Sequence, residues 1–148
     1  MSRGADLDLF RTRDPRRFRI ATEVRFADLD PNNHVNHARY LGYMEECRLA
    51  FRRALDAALA LPPDLSWPVA EVTVRYLRSA GYPQAIAVEL APVHVGRTSF
   101  SLGYGLFDDD GCLAVGMSRS VCVSKNAGRP VPLPASLAAR LRELWPAD

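Results

Sequence analysis

The chain has 148 residues, 48% of them apolar, which is enough for one substantial hydrophobic core and too few for two independent ones. Nineteen Lys and Arg residues against 17 Asp and Glu leave a formal charge of +2, a near balance that supplies no field of the kind nucleic-acid binding needs. Cys47, Cys112 and Cys122 form an odd set without CxxC spacing, so neither a disulfide framework nor a zinc knuckle is indicated and buried free thiols are expected.

The opening MSRGADLDLFRTRDPRRFRI carries charges throughout and offers no apolar stretch for a signal peptide or a membrane span. Cytoplasmic residence with no membrane partner is therefore the expectation. Arg11, Arg13, Arg16, Arg17 and Arg19 form a basic cluster. Residues 1–18 read as a solvated, flexible tail with no assigned role, leaving a single domain over 19–148.

Residues 19–27, RIATEVRFA, suit a strand, which the turn-forming run DLDPNNH ends. From about Ala38 to Ala60 only Gly42 interrupts a helical pattern in which Tyr40, Met44, Cys47, Phe51, Leu55 and Ala58 recur at helical spacing. Leu41, Tyr43, Ala50, Ala54 and Ala57 widen that apolar face, as expected of a helix covered by a sheet. The prolines of LPPDLSWP stop the helix. Strand-like runs follow at 68–78, 84–95, 98–107 and 112–124, separated by GYPQ, GR and DDDG, the last reading as a hairpin turn. Pro134 then precedes SLAARLREL, whose Leu137, Leu141 and Leu144 share one face of a short C-terminal helix. One strand, one long helix and then consecutive strands describe an α+β domain whose antiparallel sheet wraps a central helix.

Residues 28–40, DLDPNNHVNHARY, concentrate carboxylates, amides and two histidines between a strand and an apolar helix, where polar groups need partners or a purpose. A capped helix entrance explains part of this, because Asn36 is a good N-cap and Asp28, Asn32 and Asn33 are ordinary turn residues. A calcium loop does not, since Asn33 replaces the required Gly and Arg39 stands where the last Glu ligand belongs. His34 and His37 lack the further ligands that a transition metal would need, so neither a metal nor another cofactor is expected.

If the Asn36 side chain caps Ala38 or Arg39, the His37 N–H is left without a partner at the positive end of the helix dipole. Such a donor can polarise a carbonyl, and Asp30 a few residues earlier can attack it or activate water. There is no Gly-x-Ser-x-Gly and no cysteine with a nearby histidine at a family-type spacing, so serine and cysteine hydrolase chemistry lack a candidate.

VRFADLDPNNHVNHARYLGYMEECR resembles the signature of the 4-hydroxybenzoyl-CoA thioesterase-like hotdog family, approximately D-x-D-x-x-G-H-V-N-N-x-x-Y followed by a helical E-x-x-R. The resemblance implies a hotdog fold, in which an antiparallel sheet wraps one long helix, and hydrolysis of an acyl-CoA thioester without a cofactor. It assigns the catalytic carboxylate to Asp30 and the backbone donor for the thioester carbonyl to His37. It also implies a homo-oligomer, a dimer or a tetramer. That agrees with the strand edges that a small sheet leaves unpaired.

Weaker likeness in VTVRYLRSAGYPQAIAVE and HVGRTSFSLGYGLF puts Tyr76, Arg78, Arg97, Thr98 and Ser99, together with Tyr40 of the motif, near the path of the CoA moiety. Three departures bear on this. Asn33 replaces a Gly, but Asn tolerates a left-handed backbone. His37 replaces an Asn while keeping the main-chain donor, and Gln84 and Ser79 stand where the family often has Asp and Pro. DLDPNNHVNH also resembles the corresponding segment of plant acyl-carrier-protein thioesterases, which implies catalytic parts for Asn32 and His34 and an acyl-carrier protein as an alternative substrate. A non-catalytic acyl-binding module and a dehydratase of related fold are the competing readings.

Overall fold

The computed structural model describes residues 6–145. Strand β1 (Phe18–Glu23) leads through a short 3-10 turn and a loop into helix α1 (Arg39–Leu59). Then come β2 (Leu65–Ser66), β3 (Val69–Tyr76), β4 (Ala85–Val95), β5 (Ser99–Asp108), β6 (Gly111–Val121), β7 (Val123–Ser124), β8 (Arg129–Pro130) and helix α2 (Ala135–Glu143). The main sheet is antiparallel in the order β1-β4-β5-β6-β3, and β2, β7 and β8 form a small second sheet. Alternate residues of the long strands point toward α1: Val88 and Leu90 from β4, and Phe100, Leu102, Tyr104 and Leu106 from β5, meet Tyr40, Met44, Cys47, Phe51 and Leu55 of the helix in one core. This is the hotdog arrangement of sheet around helix.

The helix stops at Ala60, which adopts a left-handed conformation with φ of 48° and returns its N–H to Asp56, just ahead of Pro62 and Pro63. The first strand is shorter than its composition predicts. It ends at Glu23 because Phe26–Asp28 coil into a 3-10 turn closed by two bonds on either side, Asp28 N–H to the Arg25 carbonyl and Arg25 N–H to the Asp28 carboxylate.

The charged N-terminal segment is not a loose tail over the residues described. Leu7–Arg11 form a 3-10 turn whose Leu7 and Phe10 are buried with Ala91 and Val115 against the face of the sheet opposite α1. At Gly103 the absent side chain makes room for the Phe10 ring, which a Cβ would strike. Behind it the Arg17 guanidinium lies 4.3 Å from the centre of the Phe10 ring and pairs at 3.3 Å with Glu89, a carboxylate with no exposure. Two apolar residues one turn apart, flanked by charges, are enough to dock the segment.

Among the described residues no helix is long and apolar enough to cross a membrane. All three cysteines are free, two of them buried.

Candidate active site

The loop between β1 and α1 is built by Asp30. Its carboxylate accepts the N–H of Asn32 at 2.8 Å and, more weakly, that of His34 at 3.4 Å, while its backbone pairs with Asn33 and His34. Closing so tight a turn requires a left-handed residue, and Asn33 supplies it with φ of 60°, as its place at the expected Gly predicts. Asp28 anchors the other side. It is buried, and its carboxylate accepts the Arg25 N–H at 2.9 Å and the Tyr43 hydroxyl at 2.7 Å. Burial pushes this carboxyl up, but those hydrogen bonds and the charges of Arg25 and Arg39 hold it below the usual carboxylate range. Burial and the Asp28 charge together push the Tyr43 hydroxyl well up.

At the helix entrance the Asn36 side chain accepts the Ala38 N–H at 2.9 Å and the Asn36 carbonyl accepts the Arg39 N–H. Among the described residues, the His37 N–H has no hydrogen-bond acceptor. The His37 carbonyl accepts the Tyr76 hydroxyl at 2.7 Å, and the Tyr76 ring meets His37 and Tyr40 edge-on.

Asp30, His34, His37, Tyr40, Tyr76 and Arg78 line one open cleft of about 350 Å³. Asn32 is exposed and does not line the cleft, and its N–H is tied to the Asp30 carboxylate. Arg97, Thr98 and Ser99 are not brought there. They turn the β4–β5 hairpin at the end away from Asp108, and β5 alone spans roughly 30 Å at strand rise, so within one chain they cannot reach the cleft. Arg78 is half-engaged already, because its guanidinium pairs with Asp108 and also donates to the Gly111 carbonyl at 3.2 Å.

Asp108 is the residue that sequence reasoning missed. Gln84, which stands where the family often has Asp, donates to Asp108 at 2.6 Å and accepts the Gly81 N–H at 3.0 Å, so a carboxylate from β5 occupies the junction beside β4. Burial raises the Asp108 carboxyl, and the bonds from Arg78 and Gln84 outweigh it, keeping the group ionised below the usual range. The DDDG turn marks Asp108 in the sequence only as a turn residue.

Burial pushes the Cys47 thiol up to about 12, far from a thiolate nucleophile. Among the described residues no group of three or more His, Cys, Asp or Glu is placed to hold a metal ion. The cleft brings together a carboxylate, Asp30, and a main-chain donor, the His37 N–H, ahead of the positive end of α1.

Comparison with known proteins gives four likenesses. The family model described as the thioesterase-like superfamily matches residues 24–141. The 1,4-dihydroxy-2-naphthoyl-CoA hydrolase of Nostoc punctiforme is 25% identical over 117 residues, covering 75% of this chain and 77% of that one. The crystal structure of a thioesterase from Thermus thermophilus, complexed with coenzyme A and Zn, superposes with a TM-score of 0.71 at 31% identity, covering 85% of this chain and 92% of that one. The DHNA-CoA thioesterase of Staphylococcus aureus shares the fold at a TM-score of 0.69 and 23% identity, over 78% of this chain and 79% of its own.

Proposed function

The chain belongs to the thioesterase-like superfamily, and on that premise we propose that it hydrolyses acyl-CoA thioesters to the free acid and CoA, Asp30 acting as nucleophile or general base and the His37 N–H as oxyanion donor. The observation that carries this reading is the His37 N–H, without an acceptor among the described residues, two residues ahead of the 21-residue helix α1 and on the cleft that Asp30 also lines. As the carbonyl carbon becomes tetrahedral its oxygen gains charge, and a donor without a competing acceptor strengthens its bond at that moment.

Asp30 has a free carboxylate oxygen, because only one of its two is used by the loop. His34, in the cleft lining, and Asn32, in the same loop, are assigned the task of orienting water or substrate. Tyr40 and Tyr76 form the aromatic wall beside the reacting group. The cognate substrate of the Nostoc relative and the CoA complex of the Thermus relative support CoA as the carrier, with an acyl-carrier protein as the alternative. Free cysteines, two of them buried, suit a reducing, cytoplasmic setting.

The working unit is proposed to be a homodimer or a dimer of dimers. Strand β3 is an eight-residue edge that faces solvent along most of its length, with Val72 and Tyr76 exposed, and such an edge invites a second copy. Arg97, Thr98 and Ser99 would then contact CoA only across a subunit boundary.

The test is a panel of acyl-CoAs assayed with a thiol-reactive dye, run on the wild type and on Asp30→Asn. The amide keeps the shape while losing nucleophilicity and basicity, so turnover should fall on the order of a hundredfold or more. Thiol release from no member of the panel, or a folded Asp30→Asn variant at wild-type rate, would overturn the reading.

A further inference from the structure

Strand β3 ends at Tyr76 on one edge of the main sheet, while β4, the next long strand, starts at Ala85 beside the opposite edge strand. Residues 77–84 must therefore cross the ends of β6 and β5, a gap of three strand spacings or roughly 14 Å. The first residues of this crossover, Leu77, Arg78 and Ser79, line the cleft together with Asp30 and His37. Its middle is bonded to the loop that carries the chemistry: the carbonyl of buried Ala80 accepts the Val35 N–H at 2.9 Å, and Val35 stands between Asp30 and His37. On its other side the loop is held by Asp28, whose carbonyl accepts the Asn36 N–H at 2.9 Å.

A segment that runs across strand ends has no ladder to hold it, so its place depends on individual bonds. The Leu77 and Arg78 N–H groups both donate to the Leu113 carbonyl on β6, at 2.8 and 3.1 Å. Beyond that point the ties converge on one group. Asp108, buried at the end of β5, accepts the Arg78 guanidinium on Oδ1 and the Gln84 amide on Oδ2, the latter at 2.6 Å. The Asp110 and Gly111 N–H groups donate to Oδ1 at 2.9 and 3.1 Å and fix the carboxylate to its own hairpin. Gln84 turns its other amide atom, Oε1, to the Gly81 N–H at 3.0 Å. The crossover is thus gripped on both sides of Ala80 through one carboxylate, at Arg78 directly and at Gly81 by way of Gln84. Asp108 itself does not line the cleft, so its bearing on the reaction runs through these ties.

We propose that Asp108 is a positioning residue for hydrolysis: through Arg78 and Gln84 it fixes the crossover, and through the Ala80 carbonyl the crossover fixes Val35 and so the spacing between the Asp30 carboxylate and the His37 N–H. Misplacement of a reacting group by about 1 Å costs on the order of a hundredfold in rate, so a tie of this kind acts on turnover more than on binding. The proposal rests on the thioesterase reading for what turnover measures, and on the bonds alone for the coupling between Asp108 and Val35.

Isosteric exchanges test it. Asp108→Asn keeps the bonds from its own hairpin, but its NH2 meets the Gln84 NH2. If Gln84 turns over to accept it, a donor then faces the Gly81 N–H and that tie breaks. Gln84→Glu alone sets two carboxylates against each other. The double variant Asp108→Asn/Gln84→Glu restores the network with its polarity reversed, because the amide at 108 donates to the carboxylate at 84, which also accepts the Gly81 N–H. On the best acyl-CoA of the panel, kcat is expected to fall about ten- to a hundredfold in each single variant, with KM within about threefold of wild type, and to recover most of the way in the double variant. Circular dichroism and urea unfolding check folding. Amide hydrogen exchange followed by NMR gives a reading independent of activity: in Asp108→Asn the Val35 N–H should exchange at least about tenfold faster, while core amides such as that of Val88 keep their wild-type rates. A single variant at wild-type kcat, a loss borne by KM alone, a loss that the double variant does not recover, or a Val35 rate that does not move apart from the core overturns the proposal. Should the wild type release thiol from no acyl-CoA, the hydrolytic reading falls by itself, and the exchange rates of the four proteins decide this one.

Discussion

The Tyr76 hydroxyl, at the end of β3, donates a 2.7 Å hydrogen bond to the carbonyl of His37, the residue whose own N–H is unpartnered at the entrance to α1. One side of the His37 residue is thus fixed to the sheet while the other has no acceptor among the described residues. Tyr76→Phe removes that tie but keeps the ring against His37 and Tyr40. At a half-exposed position the stability cost should be at most about 1 kcal/mol. The turnover number should fall by about tenfold or more while KM changes little, because the loosened donor matters most when the oxyanion forms. Steady-state kinetics on the best substrate of the panel read this directly. A raised KM with unchanged kcat would make Tyr76 a substrate wall and not a positioning residue.

Asp28 carries a stability that depends on pH. Its folded-state pKa is held below the ordinary value near 3.9, so the contribution is fully present above that value and is lost as pH falls through the folded pKa. Tyr43→Phe deletes one of the two hydrogen bonds to this carboxylate and should cost about 1.5–3 kcal/mol at pH 7, the usual loss for a bond to an ionised group. Once the carboxyl is protonated the bond is an ordinary neutral one. The gap between wild type and variant in urea unfolding should therefore narrow below about pH 4. A gap that widens on acidification would contradict the assignment.

Much of the fold is legible in the sequence because periodicity reports burial. The long helix shows itself through Tyr40, Met44, Cys47, Phe51 and Leu55, all buried, and the four long strands follow at the expected places. The left-handed Asn33 and the Asn36 side-chain bond to the Ala38 N–H are legible because each is a local constraint on a turn, although the helix itself begins later, with Ala38 as its N-cap. What is not legible depends on contacts between distant residues. Leu7 and Phe10 look like stray apolar residues among charges until Ala91 and Val115 pack with them and Gly103, far along the chain, leaves space for the Phe10 ring. Asp108 looks like a turn residue until Gln84 and Arg78 converge on it. The end of a hairpin to which Arg97–Ser99 belong follows from strand length and pairing, which a motif does not encode.

The docked N-terminal segment can be tested by stability alone. Phe10 has no exposure, so Phe10→Ala should cost about 3–5 kcal/mol, where a residue in a solvated tail would change stability by at most about 0.5 kcal/mol. Arg17→Met should be comparably severe, because it leaves Glu89 buried without its counter-charge. Arg17→Met with Glu89→Leu removes both charges and should recover much of that loss. Equilibrium denaturation of the three variants decides the matter, and a near-neutral Phe10→Ala would return residues 6–17 to the status of a tail.

The last prediction separates main chain from side chain at His37. The donor invoked for the oxyanion belongs to the backbone, so His37→Asn should retain activity within a few-fold. His37→Pro should keep the fold, because the N–H it deletes has no acceptor and Asn36 before it already lies outside the helix. It should nonetheless lose roughly a hundred- to a thousandfold in turnover, the usual effect of removing one oxyanion donor. The Tyr76 bond to the residue 37 carbonyl survives both changes, so a difference between them isolates the N–H. Thiol release from both variants, after circular dichroism confirms folding, measures it. An inactive His37→Asn beside an active His37→Pro would assign the role to the imidazole instead.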